Sequence, residues 1–148
     1  MGAEYSQLRS LTADLSLVTV CEEAGCPNLS ECWADRTATF MVLGERCTRA
    51  CGFCLVDTRK PLDPEVDEPA RVAEAVARMG LMHAVLTMVE RDDLADGGMA
   101  HVADCVRAIR RRSPLARLHW CRCCRRHPAC SRYRSAGLSA IQCRSTWP

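Results

Sequence analysis

Twelve cysteines among 148 residues constrain this chain more than any other feature. In a short secreted protein such a density is typical of a disulfide framework, whereas without a secretory leader it favours metal or redox chemistry. The chain begins MGAEYSQLRS, which lacks the basic-then-apolar order of a signal peptide. No run approaches the ~18 consecutive apolar residues of a membrane span. We therefore expect cysteines that bind metal in a reducing, cytoplasmic setting, and no membrane association.

The charged residues divide the chain into two unlike parts. All 18 acidic residues lie in residues 1–104, whereas residues 105–148 contain eleven arginines and no acid. The cysteines divide evenly, six on each side of that boundary. The net charge of +2 therefore conceals an acidic part and a strongly basic one, and each is interpreted separately.

Apolar segments of strand length alternate with segments of helical periodicity. Residues 37–44 and 82–89 are predicted strands. A helix is predicted from Pro69 to the glycine at position 80, and another after Gly98. Helix-length connections between apolar strands indicate an α/β fold with a parallel sheet.

Three regions are expected along the chain: a Cys-rich segment at 1–36, an α/β part at 37–114 and a basic tail at 115–148. The tail has neither strand nor helix periodicity, so we expect it to be irregular and disordered. The chain has 19 arginines and one lysine, which suggests G+C-rich coding DNA and favours an aberrant, frameshifted end. A genuine basic tail that binds nucleic acid and a divergent segment of the fold are the alternatives; nucleic acid is the less favoured partner.

The cysteines before residue 105 form two triplets, Cys21, Cys26 and Cys32, and then Cys47, Cys51 and Cys54. Structural zinc usually takes four ligands, often in paired CxxC spacings or with histidine. Three thiolates around four irons would leave one iron open to a substrate or cofactor. Two iron–sulfur sites are therefore the preferred interpretation. A zinc site that shares both triplets and small buried hydrophobes remain alternatives, and the last fits Cys105 on an apolar helix face.

The spacing of CTRACGFC (47–54), with an aromatic residue before its last cysteine, resembles that of the radical S-adenosylmethionine enzymes. Four flanking stretches resemble lipoyl synthase more narrowly: MGAEYSQL at the start, TVCEEAGCPNLSECW (19–33), ATFMVLGERCTRACGFCLVDT (38–58) and RDDLADGG (91–98). The resemblance extends over about residues 1–112. It implies the N-terminal part of a partial (β/α)6 TIM-like barrel with about two β/α units, in a truncated member of the family with an aberrant C-terminus.

The resemblance also implies an activity. Lipoyl synthases insert two sulfur atoms at C6 and C8 of an octanoyl chain carried on a lipoyl domain. The implied partners are an octanoylated carrier (the E2 component of a 2-oxoacid dehydrogenase or the glycine cleavage H protein) and an electron donor such as ferredoxin or flavodoxin. An inactive metal-binding fragment without turnover is the alternative.

The implied cofactors are two [4Fe–4S] clusters and S-adenosylmethionine. By position, Cys47, Cys51 and Cys54 would bind the cluster that cleaves S-adenosylmethionine. The first triplet would bind an auxiliary cluster that is consumed as the sulfur donor. Phe53, Arg91 and Asp92 would lie near the S-adenosylmethionine, and the resemblance implies no catalytic side chain beyond the cluster ligands.

Overall fold

A computed structural model describes residues 3–23, 26–52 and 54–120. This part of the chain is a mixed α/β structure with one open, four-stranded sheet. Phe53 and residues 121–148 lie outside the described residues, and with them most of the tail for which disorder, a frameshift or nucleic-acid binding was considered. Within the described ranges, no helix combines the length and apolar character needed to cross a membrane.

The elements follow one another in the order α1 (Ala3–Asp14), β1 (Val18–Thr19), α2 (Val20–Glu23), α3 (Leu29–Ala34), β2 (Thr37–Val42), α4 (Glu68–Arg78), β3 (His83–Met88), α5 (Met99–Arg112) and β4 (Arg117–Trp120). The strand order in the sheet is β1-β2-β3-β4. Strand β1 pairs antiparallel with β2, while β2, β3 and β4 are parallel. The parallel sheet expected from the alternating pattern is therefore confirmed.

The core lies between the sheet and its crossover helices. Alternate residues of β2, such as Phe40 and Val42, are buried, as is Leu86 of β3. Helix α4 contributes Val72 and Val76 to the same apolar cluster. Because each parallel strand is added at the same edge, right-handed crossovers place α4 and α5 on one face of the sheet, where they contact each other.

The strands and helices with strong periodicity lie where the sequence predicts them. Strand β4 was not predicted. Residues 117–120 form a parallel strand beside β3, so the expectation of an irregular chain from residue 115 is wrong there. Leu118 is buried in the core, and pairing with β3 satisfies the backbone of this short segment. Four residues with one aliphatic side chain are too few to show a period.

The residue that follows β2 packs closely against the residue that precedes α5. Leu43 directly follows β2 and has a φ of +72°. Gly98 precedes α5 with a φ of +83°, and a Cβ at this position would lie 2.3 Å from the Leu43 Cδ1 atom. Glycine is therefore required at position 98 both for its backbone conformation and for the space that Leu43 occupies.

We expect Gly98→Ala to lower the free energy of unfolding by about 2–4 kcal/mol, since it adds left-handed strain and overpacks Leu43. Gly80→Ala is the matched control, because Gly80 also has a positive φ, but an added Cβ there would meet no atom within 4 Å. It should cost only about 1–2 kcal/mol. Urea unfolding followed by circular dichroism measures both, and equal losses would contradict the close approach.

Candidate metal centre

The second cysteine triplet lies in the connection that leaves the carboxyl end of β2. Cys47 is half-buried, while Cys51 and Cys54 are exposed, and all three are free thiols. The Cys47 N–H donates a hydrogen bond to the Asp57 carbonyl at 2.8 Å, which closes the base of this connection. We call residues 47–54 the cysteine loop.

Backbone hydrogen bonds shape the cysteine loop around its sulfur atoms. The Arg49 N–H donates to the Cys47 Sγ at 3.4 Å. The Cys54 N–H donates to the Cys51 carbonyl at 3.0 Å, so these two cysteines belong to one tight turn. Amide hydrogen bonds to cysteine sulfur are one of the interactions that tune iron–sulfur clusters, so this contact is compatible with a cluster site.

The cysteine loop is bound to the segment that follows β3. The Thr48 N–H donates to the Glu90 carbonyl at 2.9 Å. The guanidinium of Arg49 donates to both carboxylate oxygens of Asp92, at 2.8 and 2.7 Å. This hydrogen bond to Asp92, with the nearby charge of Glu90, raises the pKa of Arg49 above its ordinary value. The carboxyl ends of β2 and β3 thus meet at one edge, as their parallel pairing requires.

Arg91 and Asp92 were both predicted to lie near a cofactor, and their side chains have different surroundings in the structure. Asp92 faces the cysteine loop through Arg49. Arg91 is 1% exposed, and its guanidinium donates to both oxygens of Asp93, at 2.8 and 2.7 Å. This hydrogen bond holds the pKa of Asp93 below its ordinary value. The Arg91 Nη1 group is buried without a hydrogen-bond partner among the described residues. Phe53, the third predicted contact, lies outside them.

Three curated proteins with similar sequences carry the same name. "Lipoyl synthase" of Beutenbergia cavernae is 57% identical over 114 residues, which are 77% of this chain and 34% of that protein. "Lipoyl synthase" of Rubrobacter xylanophilus is 56% identical over 113 residues, 76% of this chain and 35% of that protein. That of Nocardia farcinica is 57% identical over 114 residues, 77% of this chain and 32% of that protein.

The chain is homologous to a part of lipoyl synthase. It spans about a third of the length of the curated relatives that it matches. No family model matches the chain. The resemblance drawn from the cysteine spacings and their flanking residues is thereby confirmed at the level of homology.

The first triplet of the chain precedes β2 and lies on or beside two short helices. Cys21 is in α2, but its side chain lies outside the described residues. Cys26 and Cys32 are free and half-buried. The Cys32 N–H donates to the Asn28 carbonyl at 2.9 Å, in the first turn of α3. The Glu22 carboxylate accepts a 2.7 Å hydrogen bond from the Thr19 hydroxyl.

A third cysteine-containing group was missed by the sequence analysis. Glu68, His101 and Cys105 place their potential ligand atoms within 4.8 Å of one another. Carboxylate, imidazole and thiolate are all zinc ligands, so the group could hold a metal ion by donor type. However, Glu68 Oε2 already accepts the Leu43 N–H at 3.0 Å and lies 2.5 Å from His101 Nε2. The Glu68 carboxylate thus links α4, α5 and the residue after β2. The one sequence signal for this link is that Glu68 and His101 both lie in the first turns of successive helices.

The free thiols should differ sharply in reactivity. Burial raises the pKa of Cys105 to about 12, so at pH 8 only about 10⁻⁴ of it is thiolate, the form that reacts. We expect iodoacetamide to label Cys51 and Cys54 in the folded, metal-free chain and to leave Cys105 unmodified, as read by peptide mass spectrometry. Labelling in denaturant, which should modify all three, is the control. Comparable labelling of Cys105 and Cys51 in the folded chain would contradict this arrangement.

Proposed function

We propose that this chain carries the iron–sulfur chemistry of a lipoyl synthase, a radical S-adenosylmethionine enzyme that inserts sulfur at C6 and C8 of a protein-bound octanoyl chain. The cysteine loop binds a [4Fe–4S] cluster together with S-adenosylmethionine. The triplet Cys21, Cys26 and Cys32 binds a second [4Fe–4S] cluster, which is the source of the inserted sulfur. The single observation that carries this proposal is the cysteine loop itself, at the carboxyl edge of a parallel sheet in a chain homologous to lipoyl synthases.

The donor set of the cysteine loop fits a cluster of this kind. Three free thiols lie within eight residues, two of them exposed and one beside a backbone amide that donates to its sulfur. Three cysteines around four irons leave one iron for a further ligand. When bound, such a cluster supplies a single electron beside that open iron, which is chemistry that no protein side chain offers.

The residues around the loop have separate tasks in this proposal. Cys47 is the anchored ligand, because its N–H is bonded to Asp57 and its sulfur accepts the Arg49 amide. Arg91 is held in one orientation by Asp93, which leaves its buried Nη1 donor for an anionic acceptor. This unpartnered donor supports the prediction that Arg91 contacts the S-adenosylmethionine.

The fold supports the proposed placement of the cofactors. Strands β2, β3 and β4 with α4 and α5 have the singly wound order of a β/α barrel, and we propose that they form the first part of a partial (β/α)6 barrel. Barrel enzymes bind their ligands at the carboxyl ends of the strands. The cysteine loop and the segment at 90–93 both lie at that edge, whereas the buried α4–α5 face serves stability.

The partners follow from the proposed reaction. The octanoyl substrate is carried by a lipoyl domain, either of a 2-oxoacid dehydrogenase E2 component or of the glycine cleavage H protein. A ferredoxin or flavodoxin supplies the electron. Because the free thiols and the clusters need a reducing environment, we propose a cytoplasmic location.

Anaerobic reconstitution with iron and sulfide tests this proposal. We expect about eight irons and eight sulfides per chain if both triplets bind [4Fe–4S] clusters. Replacing Cys47, Cys51 and Cys54 by alanine should remove about half of the iron, and so should replacing the first triplet. Cys105→Ala is the matched control, since Cys105 is buried on α5 and belongs to neither triplet, and it should leave the iron content unchanged.

Two outcomes would contradict the proposal. Zinc retained without acid-labile sulfide would make the chain a zinc-binding protein. Iron content that stays the same in both triplet variants would show that the cysteines are not the ligands. S-adenosylmethionine cleaved upon reduction, in every chain that keeps the cysteine loop and not in the variant that lacks its three cysteines, would extend the proposal from cluster binding to turnover.

A further inference from the structure

The connection between the cysteine loop and the segment after β3 is stronger than an ordinary surface contact. Exposed ion pairs usually contribute little, unless the geometry is bidentate or several groups form a network. Here both conditions are met. The Arg49 guanidinium presents two N–H groups to the two oxygens of Asp92, and its Nη1 atom lies 3.7 Å from a Glu90 carboxylate oxygen.

Thr48 adds a second set of bonds at the same place. Its hydroxyl lies 2.9 Å from both the Glu90 carbonyl and an Asp92 carboxylate oxygen, and it accepts the Asp92 N–H at 3.1 Å. Its own N–H is bonded to the Glu90 carbonyl. The main chain of the loop is thus bonded to the main chain after β3, and the Arg49–Asp92 pair closes over this contact.

The position of Arg49 within the cysteine loop connects the Arg49–Asp92 pair to the proposed metal ligands. Arg49 lies between Cys47 and Cys51, two of the proposed ligands, and its own N–H donates to the Cys47 sulfur. A shift of the Arg49 main chain would therefore change the hydrogen bond that the Cys47 sulfur accepts. Asp92 neutralises the Arg49 charge beside that sulfur.

We propose that Arg49 and Asp92 form a charge-neutral clamp that fixes the cysteine loop against the carboxyl end of β3, so that both are positioning residues for the bound cluster. The cluster part of this inference rests on the proposed function. The clamp part concerns the chain alone. In this proposal Asp92 acts through Arg49, and its place near the S-adenosylmethionine stays a prediction.

The clamp can be tested on the metal-free chain by hydrogen exchange of the loop amides. We expect Arg49→Gln and Asp92→Asn to speed exchange of the Thr48 N–H about fivefold, and Arg49→Lys, which keeps the charge but loses the two-pronged geometry, to have a smaller effect. Arg59→Gln is the matched control. Arg59 also pairs with an aspartate, Asp57, but that pair lies two residues apart and does not reach β3. Equal exchange in all variants and the original chain would overturn the clamp.

The effect on the cluster has a signature that a merely structural role would not give. In a chain whose first triplet is replaced by alanine, the one-electron midpoint potential reports the second-triplet cluster alone. Arg49→Gln removes a positive charge beside the Cys47 sulfur and should lower the potential. Asp92→Asn removes one negative charge, which leaves the Arg49 cation beside Glu90 alone, and should raise the potential. Shifts of opposite sign, with Arg59→Gln unchanged and Arg49→Lys close to the original, support the positioning role.

The outcomes separate the two proposals. Shifts of the same sign, or none, in a chain that binds iron would overturn the positioning role and leave the proposed function intact. If the original chain binds no cluster, the proposed function fails together with the cluster part of the inference. Hydrogen exchange of the metal-free chain then tests independently whether the clamp exists.

Discussion

Everything at the candidate site depends on the parallel pairing of β2 with β3. The two strands are in register from Thr37 opposite His83 to Val42 opposite Met88, so they end level with each other. Two connections that are far apart in the chain therefore leave the sheet side by side. One carries the cysteines and the other carries the Arg91–Asp93 segment. Without this register, neither the bond from Thr48 to Glu90 nor the Arg49–Asp92 pair could form.

Helices α4 and α5 and the glycine before α5 make a second set of contacts with the residue that follows β2. Glu68 at the start of α4 accepts the Leu43 N–H and contacts His101 of α5, while Gly98 leaves room for the Leu43 side chain. The helices that bury the core thus also determine where the chain turns into the cysteine loop. Leu43 thus connects the packing on one face of the sheet to the cysteine loop at its edge, where we propose that metal binds.

Much of this arrangement could be predicted from the sequence, and the reasons are specific. Strands β2 and β3 are apolar runs, and Pro69 and Gly80 bracket α4. Parallel strands then require the cysteines and Arg91 to share one edge. The cysteine spacing also led to the proposed iron–sulfur chemistry, because three thiols in eight residues are typical of a metal site. Each of these inferences depends on neighbours in the chain or on a rule that holds for every parallel sheet.

The features that could not be predicted depend on contacts between distant residues. Arg49 and Asp92 are 43 residues apart, and nothing in a charged residue's neighbours specifies its partner. Strand β4 is too short to show a period and exists because β3 offers an unpaired edge. Leu43, which has a left-handed conformation, packs beside Gly98 and bonds to Glu68, neither of which is its neighbour in sequence. Three-dimensional proximity, rather than local pattern, determines all three.

Electron paramagnetic resonance of the reconstituted, reduced chain, before and after addition of S-adenosylmethionine, tests the central claim most directly. If the cysteine loop binds a four-iron cluster with one open iron, S-adenosylmethionine will change the g values of the reduced cluster. The change will be absent when Cys47, Cys51 and Cys54 are replaced and retained when the first triplet is replaced. A reduced-cluster signal that S-adenosylmethionine leaves unchanged would contradict the account, because the loop would then bind iron without the open site on which the proposed chemistry depends.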